Sequence, residues 1–196
     1  DATNASFILT TVTTNQAGSY SVLVSNHLGS ASSSNAILTV LSTSSPIFED
    51  FEPGIHAEQW TSFSPTVLAT NYGGFVSATH SLWFGGTGSR YATTRPIDVS
   101  GGGSISFYLH LANGYSNFWE MVDLPGEGVV LEYSLNGSSW TNIGTYNTSN
   151  FFNWTLVQLT VPPGAQSVGT LFRWRQLSNS GSANDYWALD DIQIVP

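Results

Sequence analysis

The chain has no cysteine and no lysine, and Arg90, Arg95, Arg173 and Arg175 supply all 4 of its Lys and Arg residues. Without cysteine there are neither disulfides nor thiolate metal sites, so redox chemistry says nothing about compartment. The shortage of cations excludes more. Asp and Glu total 13, leaving a formal net charge of -9 over 196 residues. That argues against nucleic acid, whose recognition is dominated by Lys and Arg meeting phosphate. It also disfavours anionic membranes and sulfated glycans, unless a metal mediates. No apolar run is long enough to span a bilayer as a helix, so direct membrane insertion is not expected. Signal peptide and initiator Met are missing too, so the chain is expected to be a processed product or a piece of something longer.

What is present is apolar and aromatic. Hydrophobic residues make up 41% and aromatic ones 13%, a composition that packs a core rather than staying disordered. The polar remainder is rich in Ser, Thr, Asn and Gly, as expected of an extracellular or cell-surface protein.

Two acidic clusters stand inside apolar, strand-like sequence: Glu49-Asp50-Phe51-Glu52, and Asp190-Asp191 within Trp187-Ala188-Leu189-Asp190-Asp191-Ile192-Gln193-Ile194-Val195-Pro196. Carboxylates in such surroundings need compensation. With so few cations available, a bound metal is one source, and a hard cation such as calcium takes about six to eight oxygen ligands. On a regular strand Asp50 and Glu52 share a face, whereas Asp190 and Asp191 point apart. The alternation Ala188, Asp190, Ile192, Ile194 favours Asp190 as the inward ligand. The expectation is a structural calcium tying the first strand of a domain to its last. The alternative is that these are strand-end carboxylates capping turns.

Residues 1–42 alternate apolar and polar side chains over 6–12, 19–26 and 36–40, which predicts three strands. Gln16-Ala17-Gly18-Ser19-Tyr20 between the first two resembles the tyrosine corner of immunoglobulin-like domains, and the segment looks like the closing three strands of that fold. The cysteine the family places two residues after that Tyr is Val22 here. Three strands with one apolar face do not close a sandwich. Either the partner strands belong to another chain, making strand complementation between subunits the joint, or the segment is a frayed half-domain. Residues 43–46 read as a short polar linker.

Over 47–196 no helical period is sustained. Short alternating runs at 48–51, 81–84, 91–94, 104–111, 128–134, 141–146, 155–161, 170–176 and 186–195 predict an all-β, jelly-roll sandwich, with a hairpin turn at Asn136-Gly137. Asp50-Phe51-Glu52, Ser81-Leu82-Trp83-Phe84-Gly85-Gly86, Gly128-Val129-Val130-Leu131-Glu132-Tyr133-Ser134, Phe172-Arg173-Trp174-Arg175-Gln176 and Asp185-Tyr186-Trp187-Ala188-Leu189-Asp190-Asp191-Ile192 together resemble a reelin-type subrepeat. The opening Asp-Phe-Glu and closing Ala-Leu-Asp-Asp-Ile are also similar to MAM domains. The resemblance implies a non-catalytic extracellular jelly roll with structural calcium near the chain ends, its ligands among Asp50, Glu52, Asp190 and Asp191. The cysteines and receptor-binding lysines of reelin are absent, so its receptor binding is not carried over.

No enzymatic constellation emerges. Glu120 and Asp123 are three apart and Glu127 and Glu132 five apart, which suits no glycosidase pair on one strand face. His27, His56, His80 and His110 are scattered and read as ordinary surface or core residues. Arg173 and Arg175 share a strand face, either as an anion clamp or paired internally with Glu132. Tyr115, Phe118, Trp119, Phe151, Phe152 and Trp154 fall in loop-like sequence, where aromatics mark an interaction surface or plug the sandwich ends. Asn4, Asn136, Asn147 and Asn153 begin sequons. The function expected is an adhesion or structural module that self-assembles or joins another extracellular protein. A carbohydrate-binding module using the loop aromatics is the alternative.

Overall fold

The computed structural model describes residues 4, 6–9, 12–13, 16–40, 45–64, 67–114 and 119–196. The chain divides into two compact units, Asp1–Ser42 and Thr43–Pro196.

In the smaller unit, β1 (Gly18–Tyr20) pairs with β4 (Ala36–Leu38), and β2 (Leu23–Asn26) pairs separately with β3 (Gly29–Ser32). The strand expected over 19–26 is therefore split. Val22 leaves the ladder, its amide donating to Ser33 Oγ at 2.9 Å and its carbonyl taking the Ser33 amide at 2.8 Å. Asn26 Oδ1 accepts from the amides of Leu28 and Gly29 and closes the β2–β3 turn, the local bonding that suits Asn to turns. Of the strand expected over 6–12, the described residues are not in a ladder. The Tyr20 hydroxyl donates to the Gln16 carbonyl at 2.6 Å, the bond that defines a tyrosine corner.

The larger unit carries β5 (Ile47–Glu49), β6 (Trp60–Phe63), β7 (Leu68–Thr70), β8 (Ser81–Phe84), β9 (Tyr91–Thr94), β10 (Ser104–Leu111), β11 (Val129–Ser134), β12 (Thr141–Tyr146), β13 (Thr155–Thr160), β14 (Leu171–Gln176) and β15 (Trp187–Val195). One sheet runs β13-β10-β15-β8-β7 with β5 also on β15, and the other runs β12-β11-β14-β9-β6. The two form a sandwich, because each strand alternates one apolar face inward. On β10, Ile105, Phe107, Leu109 and Leu111 are buried while Ser106, Tyr108 and His110 face out. Inside, Trp174 meets Trp60 and Phe107 edge-on, and Phe84 stacks on Trp187 with ring centroids 3.6 Å apart. Burying such rings contributes about 2–3 kcal/mol each. β6 carries no alternating signature, since only Trp60 of its four residues is buried.

The strand that matters most is β15. One of its edges pairs with β10 on either side of a slip, and its other edge is shared. β8 takes Trp187 to Leu189 and β5 takes Ile192 to Ile194. Asp190 and Asp191 fall at the changeover. There the β10 register slips between Ser106 and Tyr108, and Asp191 adopts φ 45. This is a bulge, which re-aims side chains locally.

Candidate functional site

The bulge undoes the regular alternation expected of Asp190 and Asp191. Both carboxylates now meet the segment that precedes β8. Asp190 Oδ2 accepts from the Val76 amide at 2.6 Å and the Ser77 amide at 3.4 Å, while Asp191 Oδ1 accepts from the Ser77 hydroxyl at 2.5 Å. Glu52 arrives at the same segment from the other end of the unit. It accepts from the Thr79 amide at 2.7 Å and hydroxyl at 2.9 Å, and from the His80 amide. Three non-glycine residues of left-handed φ flank these contacts, Phe51 at 60, Ala78 at 49 and Asp191 at 45. Such conformations are sparsely populated and gather at sites the surrounding structure over-determines.

Phe51 also separates Asp50 from Glu52. Since β5 ends at Glu49, the two are not held to one strand face as the sequence suggested. Asp50 instead lines a cleft of about 350 Å³ with Phe48, Glu49, His56, Asp191, Ile192 and Gln193. Ligand atoms of Glu49, Asp50 and His56 lie within 4.8 Å of one another. The sequence put Glu49 in the acidic cluster and read His56 as an ordinary residue, and named neither as a metal ligand. The only signal was Glu49 at alternating spacing in Phe48-Glu49-Asp50-Phe51-Glu52. Glu49 is buried and already accepts four donors: the Phe51 amide, the His56 amide, His56 Nδ1 and Trp60 Nε1, all at 2.8–3.1 Å. Those bonds hold the turn after β5 against the core, and the Glu49 carboxylate beside it raises the pKa of His56.

Glu52, Asp190 and Asp191 meet one segment, but among the described residues they do not bring three ligand atoms within 4.8 Å of one another as Glu49, Asp50 and His56 do. Asp190 is fully buried, and its carboxyl is pushed up to about 6, first by burial and further by Asp191, against the pull of the Val76, Asp191 and Ser77 amides. Burial works the same way on Glu52, yet the Thr79 and His80 bonds hold it down at about 2. Among the described residues, the arginine bonds seen go to other groups. Arg90 bonds to the carbonyls of Gly86, Gly181 and Asp185 and to Gln176, Arg95 to those of Ser45, Pro46 and Pro96, and Arg173 and Arg175 to Glu132. Carboxylate oxygens with no thiolate suit a hard cation rather than a soft metal.

The loop aromatics fold back onto the sandwich. Trp119 and Trp154 flank His110, with ring centroids 5.0 and 5.2 Å away, and Phe151 meets Tyr146 edge-on. Trp119, Phe151, Phe152 and Trp154 are all half-buried, and Phe151 and Phe152 pack on the core. Tyr115 and Phe118 lie outside the described residues. His110 sits with Nδ1 3.2 Å from the Gly73 carbonyl and Nε2 3.2 Å from that of Phe152. Burial lowers its pKa, with those two carbonyls pulling the other way.

Residues 68–195 match the family model of reelin subrepeat B. The chain belongs to that family. This reelin subrepeat B chain therefore has the fold that its scattered motifs implied, including β14 and β15 with their Arg173-Trp174-Arg175 and Asp190-Asp191. Among solved structures it is similar to the K3 cleaved adhesin domain of Lys-gingipain from Porphyromonas gingivalis w83, at 15% identity and TM-score 0.54 over 76% of this chain and 98% of that one. It is also similar to the CBM22-1 xylan-binding domain of Paenibacillus barcinonensis Xyn10C, at 14% identity and TM-score 0.48 over 80% of this chain and 97% of that one. The first likeness is of fold alone. Among the described residues, no helix of the subrepeat is long and apolar enough to cross a membrane.

Proposed function

We propose that this chain is a non-catalytic extracellular module for adhesion or assembly, joined to further copies by β-strand complementation through its smaller unit and braced by a structural calcium in its sandwich. The observation that carries the joint is the state of β2 and β4. Leu23, Val24 and Ile37 are 68%, 65% and 82% exposed on ladders only two strands wide. Two-stranded ladders are marginal alone, and open strand edges are templates for a strand from another chain. A second copy, or another extracellular protein, supplies the missing strands. Sedimentation velocity of the chain and of Leu23→Asn/Ile37→Asn over rising concentration tests this. Larger species are expected from the parent and not from the variant. Identical behaviour of the two would remove the joint.

A second reading, carbohydrate binding, is favoured by Trp119 and Trp154, whose half-buried rings stand on the outer face of the first sheet beside His110. Glycan-array binding that is lost in Trp154→Ala would support it over the first.

A further inference from the structure

The outer face of the second sheet is built differently from the rest of the surface. Directly opposite residues cross all five strands in one row, Asn142, Glu132, Arg173, Thr93 and Ser62, and Arg175 and Tyr91 stand opposite each other beside it. Glu132 is buried between two guanidinium groups. Arg173 gives it Nε at 2.9 Å and Nη2 at 2.7 Å, both to Oε2. Arg175 gives it Nε at 3.2 Å and Nη2 at 2.8 Å, and turns Nη1 to the Gln176 carbonyl at 3.3 Å.

One carboxylate thus faces two arginines, leaving a surplus of one positive charge. Arg90 and Arg95 are buried, while the Arg173 and Arg175 side chains keep 20% and 30% exposure. In a chain without lysine these two are the partly exposed side-chain cations that do not depend on pH.

Arg173 is the one with capacity left. Its Nε and Nη2 edge is spent on Glu132, and among the described residues its Nη1 makes no hydrogen bond. A guanidinium is a planar fork of five N–H groups. The second edge, Nη1 with the remaining Nη2 proton, therefore offers two parallel donors, the geometry that takes a carboxylate in a bidentate manner. The group is also held still. Its carbon lies 3.9 Å from the centroid of the Trp140 ring, and such stacking together with the Glu132 bonds pre-orders the fork before any ligand arrives.

Around this fork the face is amide and hydroxyl. Asn142 Nδ2 donates to Thr145 Oγ1 at 3.0 Å, and among the described residues its Oδ1 makes no hydrogen bond. Asn142, Thr145 and Ser62 are exposed. Groups of this kind exchange hydrogen bonds with ligand hydroxyls. The overall charge of -9 repels a ligand bearing several negative charges, so a single carboxylate among hydroxyls fits best.

We infer that this face binds an acidic sugar, a uronic-acid-type residue of a glycan, with Arg173 taking the carboxylate and the Asn142, Thr145 and Ser62 groups reading the hydroxyls. The site lies on the opposite sheet from Trp119 and Trp154. It shares with the second reading above only the premise of glycan recognition, and it is independent of the joint in the smaller unit.

The test is an NMR titration of the whole chain with glucuronate, methyl glucoside and acetate, following Trp140 Nε1–H and the arginine Nε–H signals. Glucuronate is expected to shift both saturably, with methyl glucoside and acetate each at least about tenfold weaker, as loss of a charge-assisted pair or of the hydroxyl contacts requires. Arg173→Gln should abolish the response, and so should Arg173→Lys, which keeps the charge and loses the fork. No shift with glucuronate overturns the inference. So does an equal response to acetate, which makes this an unselective anion site, or shifts confined to Trp119 and Trp154, which place the glycan on the other sheet. An equal response to methyl glucoside overturns the carboxylate assignment while leaving glycan recognition standing.

Discussion

Asp190 and Asp191 are consecutive in the chain, yet both reach Ser77, one through its amide and the other through its hydroxyl. They do so because β15 bulges where β8 hands over to β5 on one of its edges. The bulge brings both aspartates to the segment that Glu52, following β5, reaches through Thr79 and His80.

Calcium removal is the first prediction. A ligand at 100 times its dissociation constant stabilises by about 2.7 kcal/mol, and for a chain of this size that corresponds to about 5–10 °C in Tm. Thermal unfolding followed by tryptophan fluorescence should show that loss on adding chelator. In Asp190→Asn the difference between calcium and chelator should vanish. A parent whose Tm ignores chelator has no such site.

Glu49→Ala is predicted to act without calcium. It strands the Phe51 and His56 amides and Trp60 Nε1, which Glu49 now accepts, at about 1–3 kcal/mol for each buried donor. Urea unfolding should report a loss of roughly 3 kcal/mol or more, equal with and without chelator. A loss that appears only in calcium would make Glu49 a metal ligand instead.

The Glu132 pair sets a pH dependence. Burial works to raise this carboxyl, but Arg175 and Arg173 outweigh it, and its pKa in the fold lies below the ordinary 4.5. A carboxyl with a depressed folded pKa contributes stability above its unfolded pKa and loses it as pH falls through the folded value. Glu132→Gln should therefore be less stable than the parent at pH 7, with the gap closing below about pH 4. Urea midpoints across that range check it. A gap independent of pH would mean packing, not charge, is lost.

Gly103 has φ 131, and a Cβ there would run into the Val195 carbonyl beside the chain end. Gly103→Ala should destabilise the sandwich by about 1–3 kcal/mol, from strain and displacement of β15. An unchanged urea midpoint would show that the β15 end gives way freely.

The sandwich was legible where alternation was strong. β8, β9, β10 and β12 begin and end where their side chains predict, and Arg173 and Arg175 pair with Glu132 as their shared face suggested. β6 was not legible, because three of its four residues are exposed and it is set by pairing with β9 rather than by its own pattern. The acid residues were found by their chemistry, but their directions were not. Period-two reasoning assumes a regular strand, and Phe51 and Asp191 both leave it through left-handed φ. Nor could sequence show that Glu49, an acid among acids, is the one already satisfied by four donors.

The most direct test of the account is light scattering on the whole chain in calcium and then in chelator, with negative-stain images of the same samples. Concentration-dependent polymers in calcium, abolished by Leu23→Asn/Ile37→Asn, are the predicted result. A monomer at every concentration, indifferent to calcium, would contradict both the joint and the metal.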